Sequence, residues 1–303
     1  MEKRVVIERR GLYVEPISAC NLKCRMCYSN VINGKGRKEI SKDALVDFVG
    51  RFGRERRLGF GVFWCGTGEI FLHAKFPEVI NSLSAWFMKG VVGRGVKHFI
   101  VTNGTIDRLD EFERLNNVTF HVSIDGPKDH HEWNRGKGTY EKAVGFCRRA
   151  YELGCEGVKV RTIVTKGNAN RLADFEDELK RDVDRRIRLN LTFPYSNREM
   201  KGAMTLSKTI SRRTIDDSLM LPSEEMKRIV AAKYGKRFRD EKKLVPFGPG
   251  DIKTYISLNP YGVFSCCEGI VKIGDPRTSM KELLTRMETA KDKCLACPLS
   301  TLC

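Results

Sequence analysis

Three thiols stand close together early in the chain: Cys20, Cys24 and Cys27, spaced C-x3-C-x2-C within "SACNLKCRMCYSN". No further Cys or His follows until Cys65 and His73. A structural zinc ion takes four such ligands, usually from paired knuckles. Three thiolates on one short loop instead suit three irons of a [4Fe–4S] cube, because cysteine thiolates are the usual ligands of such clusters. The missing fourth ligand leaves one iron open to a small molecule. A second group of thiols comprises Cys266, Cys267, Cys294, Cys297 and Cys303, the last three spaced C-x2-C-x5-C. Four thiolates there suit either a tetrahedral zinc or a second cluster. Of the eleven cysteines only Cys65, Cys147 and Cys155 lie between the groups, and these read as small buried hydrophobes.

Residues 1–195 alternate β-rich runs with helical patterns about six times. The first run, "RVVIERRGLYVEPI", leads straight into the cysteine loop. Later strands are expected at "LGFGVFWCG", "VKHFIVTNG", "VTFHVSIDG", "EGVKVRTIVTKGN" and "RRIRLNLTFPYS". Apolar residues at spacings of three and four predict helices at "SKDALVDFVGRFGRE", "PEVINSLSAWFMKG", "IDRLDEFERLN", "TYEKAVGFCRRAYELG" and "NRLADFEDELKRD". Such alternation predicts parallel strands wrapped by helices, as an open sheet or a barrel. In those folds the chemistry sits at the carboxyl ends of the strands. The cysteine loop falls at that rim, as do "CGTGE" (65–69), "TNG" (102–104), "SIDGP" (123–127) and "FPYS" (193–196). Residues 196–250 read as a polar, basic connector with one helical pattern at "SEEMKRIVAAKYGKRF". Beyond it, "DIKTYISLNPYGVFSCC" predicts two short strands meeting at a Pro-Tyr-Gly turn. The expected division is therefore 1–195, 196–250 and 251–303.

The chain carries 55 Lys and Arg against 38 Asp and Glu, a formal net charge of +17. A field of that sign attracts nucleic acid, nucleotides, acidic peptides or acidic proteins. No stretch approaches the ~20 apolar residues of a membrane span, and "MEKRVVIERRG" is too charged for a signal peptide. A cytoplasmic protein is expected, in which thiols stay reduced and serve metal or redox chemistry.

Together these stretches resemble the radical SAM superfamily, and within it the SPASM/Twitch subgroup. The C-x3-C-x2-C loop after a first strand is that family's signature. "TGEIFLH" resembles its GGEP segment; Thr67 and Ile70 depart from that pattern, while Gly68 and Glu69 keep it. "VTNGT", with Asn103, resembles the third-strand segment. "VSIDGPKDHHEWNRGKGTYEKAV" resembles the fourth, with Ser123, Asp125, His131 and Arg135, and "VRTIVTKGNANRL", with Asn168, the fifth.

The resemblance implies an α/β fold: a partial (β/α)6 radical SAM barrel with a small C-terminal iron–sulfur, Twitch-like domain. It implies that Cys20, Cys24 and Cys27 hold a [4Fe–4S] cluster whose open iron binds S-adenosylmethionine (SAM). Reductive cleavage of SAM would give a 5′-deoxyadenosyl radical that takes hydrogen from a substrate. Gly68, Glu69, Asn103, Ser123, Asp125 and Arg135 become the expected cofactor-binding residues. Turn formation is the plainer alternative for Asn103 and Asp125, which both precede Gly. His131 and Arg135 read equally as ties for a loop, and Met26 as an adenine neighbour or as core. Cys267, Cys294, Cys297 and Cys303 become ligands of an auxiliary [4Fe–4S] cluster. Cys266 is the alternative to Cys267, since neighbours on a strand face opposite ways.

Many members of the subgroup modify peptides, and others act on sugars, nucleotides or small cofactors. An acidic peptide or protein substrate suits the charge, with a flavodoxin- or ferredoxin-like partner as reductant and no membrane. The barrel pattern begins almost at residue 1, so a separate partner is expected to recognise any leader. Nucleotide or RNA modification by the same chemistry is the alternative, although the final "STLC" differs from the Gly-Arg tail of nucleotide-cyclising members. A non-catalytic, zinc-knuckle nucleic-acid-binding protein is the reading from another class; it leaves the rim motifs unexplained. No acid or base is singled out among Tyr195, Tyr255 and Glu268.

Overall fold

The computed structural model describes residues 5–27, 37–56, 60–66, 68–88, 96–192, 223–234, 252–265 and 271–289. The six expected strands are present: β1 (Val5–Val14), β2 (Phe60–Trp64), β3 (Val96–Thr102), β4 (Val118–Ser123), β5 (Gly157–Ile163) and β6 (Arg188–Thr192). Each pairs in parallel with the next. Parallel neighbours cannot be joined by a tight turn, so each connection must cross back over the sheet. The crossings carry α1 (Lys42–Arg56), α2 (Phe76–Met88), α3 (Lys128–Arg135) with α4 (Thr139–Glu152), and α5 (Leu172–Asp182).

One crossing differs from expectation. "IDRLDEFERLN" forms no α-helix; only Leu109–Glu111 turn, as a 3-10 segment between β3 and β4. Polar side chains claim the backbone there. Asp107 accepts the Leu109 amide at 3.0 Å, and Asn81 donates to Glu111 O at 3.0 Å. Arg108 forks onto the carbonyls of His73 at 2.9 Å and Ala74 at 2.8 Å. The Asp107 bond is a local alternative to helix, and the Asn81 bond and the Arg108 fork tie the segment to α2 itself and to the loop before it. Conversely, α3 lies in a stretch read as a motif rather than as an element.

Beyond β1 the sheet continues with β7 (Ile252–Asn259), β8 (Gly262–Ser265) and β9 (Val271–Gly274), in the order β6-β5-β4-β3-β2-β1-β7-β8-β9. β7 runs parallel to β1, and β8 and β9 follow antiparallel across the expected Pro-Tyr-Gly turn. The segment from 252 thus begins by extending the barrel's own sheet. The helix expected after Pro222 is present as α6 (Ser223–Tyr234); it touches α5 and buries Val230. A last helix, α7 (Met280–Thr289), lies against β9 and α1, where Arg51 of α1 donates to Thr278 O at 3.0 Å and to Pro276 O.

The two faces of the sheet differ. Most residues turned to the helices are apolar and fully buried, among them Val62, Trp64, Ile100, Phe120 and Val160. Edge-on rings lock that face, with Phe120 on Phe146 at 5.2 Å and Trp64 on Phe76 at 5.4 Å. On the inner face Tyr13, Phe63 and Phe99 stack across three strands at 4.9 and 4.6 Å, and His121 meets Phe99 edge-on. Cys147 and Cys155 are buried as expected, and Cys65 is half-buried at the end of β2. Among the described residues no helix is long and apolar enough to cross a membrane. Thr67, Tyr195, Cys266, Cys267, Glu268, Cys294, Cys297 and Cys303 lie outside the described residues.

Candidate active site

The loop bearing Cys20, Cys24 and Cys27 leaves the carboxyl end of β1 and is held on every side. Its return segment is zipped to it: Ser18 N donates to Lys38 O at 2.9 Å, and Ile40 N to Pro16 O at 2.9 Å. After β2, Glu69 N donates to Ala19 O at 2.8 Å. Gly68 passes so close beneath the loop that a Cβ there would lie 2.4 Å from Ile17 O and 2.6 Å from Ala19 O. Only glycine fits such an approach. After β3, Asn103 Nδ2 donates to Asn21 Oδ1, and Asn21 Nδ2 to Thr105 Oγ1, both at 2.9 Å. At the end of α3, Asn134 accepts Arg25 N at its backbone oxygen (2.9 Å) and Met26 N at Oδ1 (3.0 Å). Three strand-end loops therefore converge on one stretch of ten residues.

The same loops enclose a cavity. Cys20, Cys24 and Cys27 line it together with Gly68, Glu69, Asn103, Ser123 and Arg135. Met26 belongs to the buried core and also reaches the cavity wall. Of the expected site residues among those described, only Asp125 is absent from the wall; it stands directly behind. Its carboxylate takes Arg135 Nε at 2.7 Å and Nη2 at 3.2 Å, with Ile163 N at 3.1 Å and Asn134 Nδ2. Burial alone would raise the Asp125 carboxyl, but the Arg135 guanidinium and these bonds hold it below its ordinary value. Burial would likewise weaken the Arg135 charge, yet Asp125 and Cys24 outweigh it and keep the guanidinium protonated. Asn168 closes the back of the turn, donating to Asp125 O at 2.7 Å and Ile163 O at 2.8 Å. His131 accepts the Asp125 amide at 3.2 Å from full burial, so it ties the loop down.

Glu69 is 2% exposed. Its carboxylate accepts Thr102 Oγ1 at 2.7 Å, Asn103 N at 2.7 Å and Phe71 N at 3.3 Å. Burial raises its carboxyl, and those three bonds counter the rise. Glu69 therefore fixes the ends of β2 and β3 to each other.

The donor set fits an iron–sulfur cube. Burial raises the Cys24 thiol to about 11 and also raises Cys20, so both need a cation to become thiolates. Donors already face these sulfurs: Leu22 N lies 3.5 Å from Cys20 Sγ, and Arg135 Nη1 lies 3.9 Å from Cys24 Sγ. Such outer contacts stabilise charge on ligating sulfur. Among the described residues no three His, Cys, Asp or Glu are grouped as ligands of one ion; in a cube each thiolate takes its own iron.

Asn134 and Thr102 escaped the sequence reading. Asn134 precedes Arg135 in the quoted "WNRG" and lies three residues after His131, one helical turn along the same face. That spacing was the available signal. Thr102 had none beyond its place before Asn103.

The family model "Radical SAM superfamily" matches residues 14–179, more than half of the chain. The chain belongs to the radical SAM superfamily, whose cofactors are SAM and a [4Fe–4S] cluster. It is 28% identical over 179 residues to a serine-type anaerobic sulfatase-maturating enzyme of Bacteroides thetaiotaomicron, covering 55% of this chain and 42% of that enzyme. It is 26% identical over 162 residues to the mycofactocin maturase MftC of Mycolicibacterium smegmatis, covering 52% and 38%. A probable GTP 3′,8-cyclase of Archaeoglobus fulgidus is 24% identical over 178 residues, covering 56% of each chain. The matches span about half or less of these relatives' length. Among solved structures, native anSMEcpe with bound AdoMet and Kp18Cys peptide superposes with a TM-score of 0.68 at 17% identity, covering 92% of this chain and 82% of that one. That likeness shows the shared fold. The expected radical SAM and SPASM/Twitch kinship agrees with these relatives.

Proposed function

We propose that this chain modifies a peptide or protein by radical SAM chemistry. Cys20, Cys24 and Cys27 hold the cluster, and the convergence of three strand-end loops on their backbone carries this reading. When bound, the cluster and SAM supply a one-electron cleavage that yields a hydrogen-abstracting radical. The chain's own residues hold and shield. Gly68 and Glu69 set the wall beside Cys20, Asn103 ties that wall to the loop, and Ser123 faces the cavity from β4. Asp125 keeps Arg135 charged and aimed at Cys24. Residues 1–195 act as the barrel, 196–250 as a basic connector, and 251–303 as the auxiliary-cluster unit, with Cys267 (or Cys266), Cys294, Cys297 and Cys303 as ligands. Kinship with a sulfatase-maturating enzyme and a mycofactocin maturase supports a peptide or protein substrate, and the +17 charge supports an acidic one. A flavodoxin- or ferredoxin-like reductant and a cytoplasmic location complete the reading.

Anaerobic reconstitution tests it. About eight irons per chain are expected, falling to about four when Cys20, Cys24 and Cys27 are all changed to Ala. Reductive SAM cleavage should vanish in that variant, and mass spectrometry should find a modified peptide with the wild type. Zinc in place of iron, without SAM cleavage, refutes the site assignment. The GTP cyclase relative favours a second reading, nucleotide modification; a product from GTP and none from peptides would replace the first with it.

A further inference from the structure

The rim network engages Asp125, Arg135, Asn134 and Glu69, and among the described residues it leaves Arg161 of the inner face without an ion pair. Along β5, Val158, Val160 and Thr162 are buried while Lys159, Arg161 and Ile163 take the alternate, more open positions. Ile163 lines the cavity. Arg161 precedes it by two residues on the same face, one pleat or about 6.6 Å deeper along the strand. Its register partner is Ser123, another wall of the cavity. Asp125, two residues beyond Ser123, is taken by Arg135. Among the described residues no carboxylate forms an ion pair with Arg161, although it is half-buried.

Its surroundings come from four other strands. His121 of β4 and Cys65 after β2 both feel its charge. The Glu15 side chain, beyond β1, crosses Gly66 so closely that a Cβ there would lie 2.3 Å from Glu15 Cγ, and its charge also reaches Cys65. Phe99 of β3, in the aromatic stack, backs His121. Burying a guanidinium without a partner is costly, and a complementary anion removes that cost.

We infer that Arg161 is a specificity-determining residue that receives a carboxylate of the substrate, from an acidic residue of the peptide, beneath the cluster-side cavity. The inference rests on the peptide reading above. A guanidinium takes a carboxylate through two parallel N–H···O bonds. Arg161 and Lys159 both act on His121, while Glu15 acts against Arg161 on Cys65; two cations offset by one carboxylate suit a single negative charge better than a dianionic phosphate. Burial holds the His121 imidazole down at about 3, so it stays neutral and adds no further charge. Lys159, a further pleat down, is exposed.

The test uses the full chain, reconstituted anaerobically and saturated with SAM. The probes are acetyl-Gly-Asp-Gly-amide and acetyl-Gly-Asn-Gly-amide, titrated by calorimetry. The Asp probe is expected to bind about tenfold more tightly, the scale of one charge-assisted contact. Arg161→Gln should erase that preference and Arg161→Lys should keep part of it, with both variants retaining the iron content of the wild type. Equal affinity of the wild type for the two probes, binding of neither, or a preference that survives Arg161→Gln overturns the inference. Displacement of the Asp probe by inorganic phosphate at lower concentration than by acetate overturns the carboxylate assignment and points to a nucleotide. Failure of the peptide reading is seen separately, as the absence of any modified peptide, because the probe comparison needs no turnover.

Discussion

The outer and inner faces of one sheet are built from different chemistry. The outer face is mostly apolar and closed by edge-on rings, with Val62, Ile100, Val122 and Val160 in the core and only His98, Thr102 and Thr162 as buried polar residues along β3 and β5. The inner face carries an aromatic stack, an imidazole, a guanidinium and, at its rim, thiols and a buried carboxylate–guanidinium pair. Apolar burial is non-directional and sets which elements pack. Hydrogen bonds and charges are directional, and they place the groups that would meet a ligand. The lesson is that the fold and the site are separable on the two sides of the same strands.

The difference can be broken from the rim. Arg135→Leu removes one partner of a buried pair and leaves Asp125 uncompensated, a loss of about 3–5 kcal/mol. A urea titration checks the stability, and iron per chain should fall as well, because Cys24 loses its donor. Loss of stability without loss of iron would separate Arg135 from the cluster.

The two faces can be compared directly through phenylalanines. Phe120→Ala on the outer face should cost about 3–5 kcal/mol with the iron content intact in the folded fraction. Phe99→Ala, half-buried on the inner face, should cost about half as much. Equal losses at the two positions would mean that the inner stack is ordinary core.

Gly68→Ala is a smaller change at the contact between them. The added methyl meets backbone oxygen, which cannot rotate away, so a cost of about 1–3 kcal/mol is expected. Its signature should be poor cluster retention out of proportion to the shift in thermal midpoint.

The gentlest probe is pH. Burial lowers His98, against the outer face, and His121, on the inner face, from 6.5 to about 3. The unfolded chain therefore binds protons that the folded one refuses. Stability is fully present above about pH 6.5 and falls as pH drops toward 3, by about 1.4 kcal/mol per pH unit for each group. Denaturation midpoints at pH 7, 6 and 5 measure the slope, and His121→Asn should flatten it by its own share. An unchanged slope would place the inner face in contact with bulk water.

Much of this was legible before folding. The period-two and period-3.6 patterns located all six barrel strands, because burial on one side imposes that rhythm. The C-x3-C-x2-C spacing marked the thiol loop, since ligands of one cluster on one loop must be near in sequence. The misread helix at 106–116 had the right periodicity, but Asp107 takes one of its backbone amides and Asn81, remote in sequence, takes a carbonyl and an amide. Asn134 drew no reading from the sequence, because its role appears only where the cysteine loop folds against it. The place of β7 beside β1 was likewise invisible, since a strand's pattern states that it is buried and not by whom.

By itself the sequence determined the order of elements, the thiol spacing and the small residue at Gly68, all properties of neighbours along the chain. The tertiary structure alone decided that Asp125 holds Arg135, that Arg135 faces Cys24, that Glu69 joins two strand ends, and that Arg161 turns inward without a carboxylate partner among the described residues. Each of those depends on directional contacts between residues from ten to more than a hundred positions apart, and such contacts exist only once apolar burial has brought the strands together.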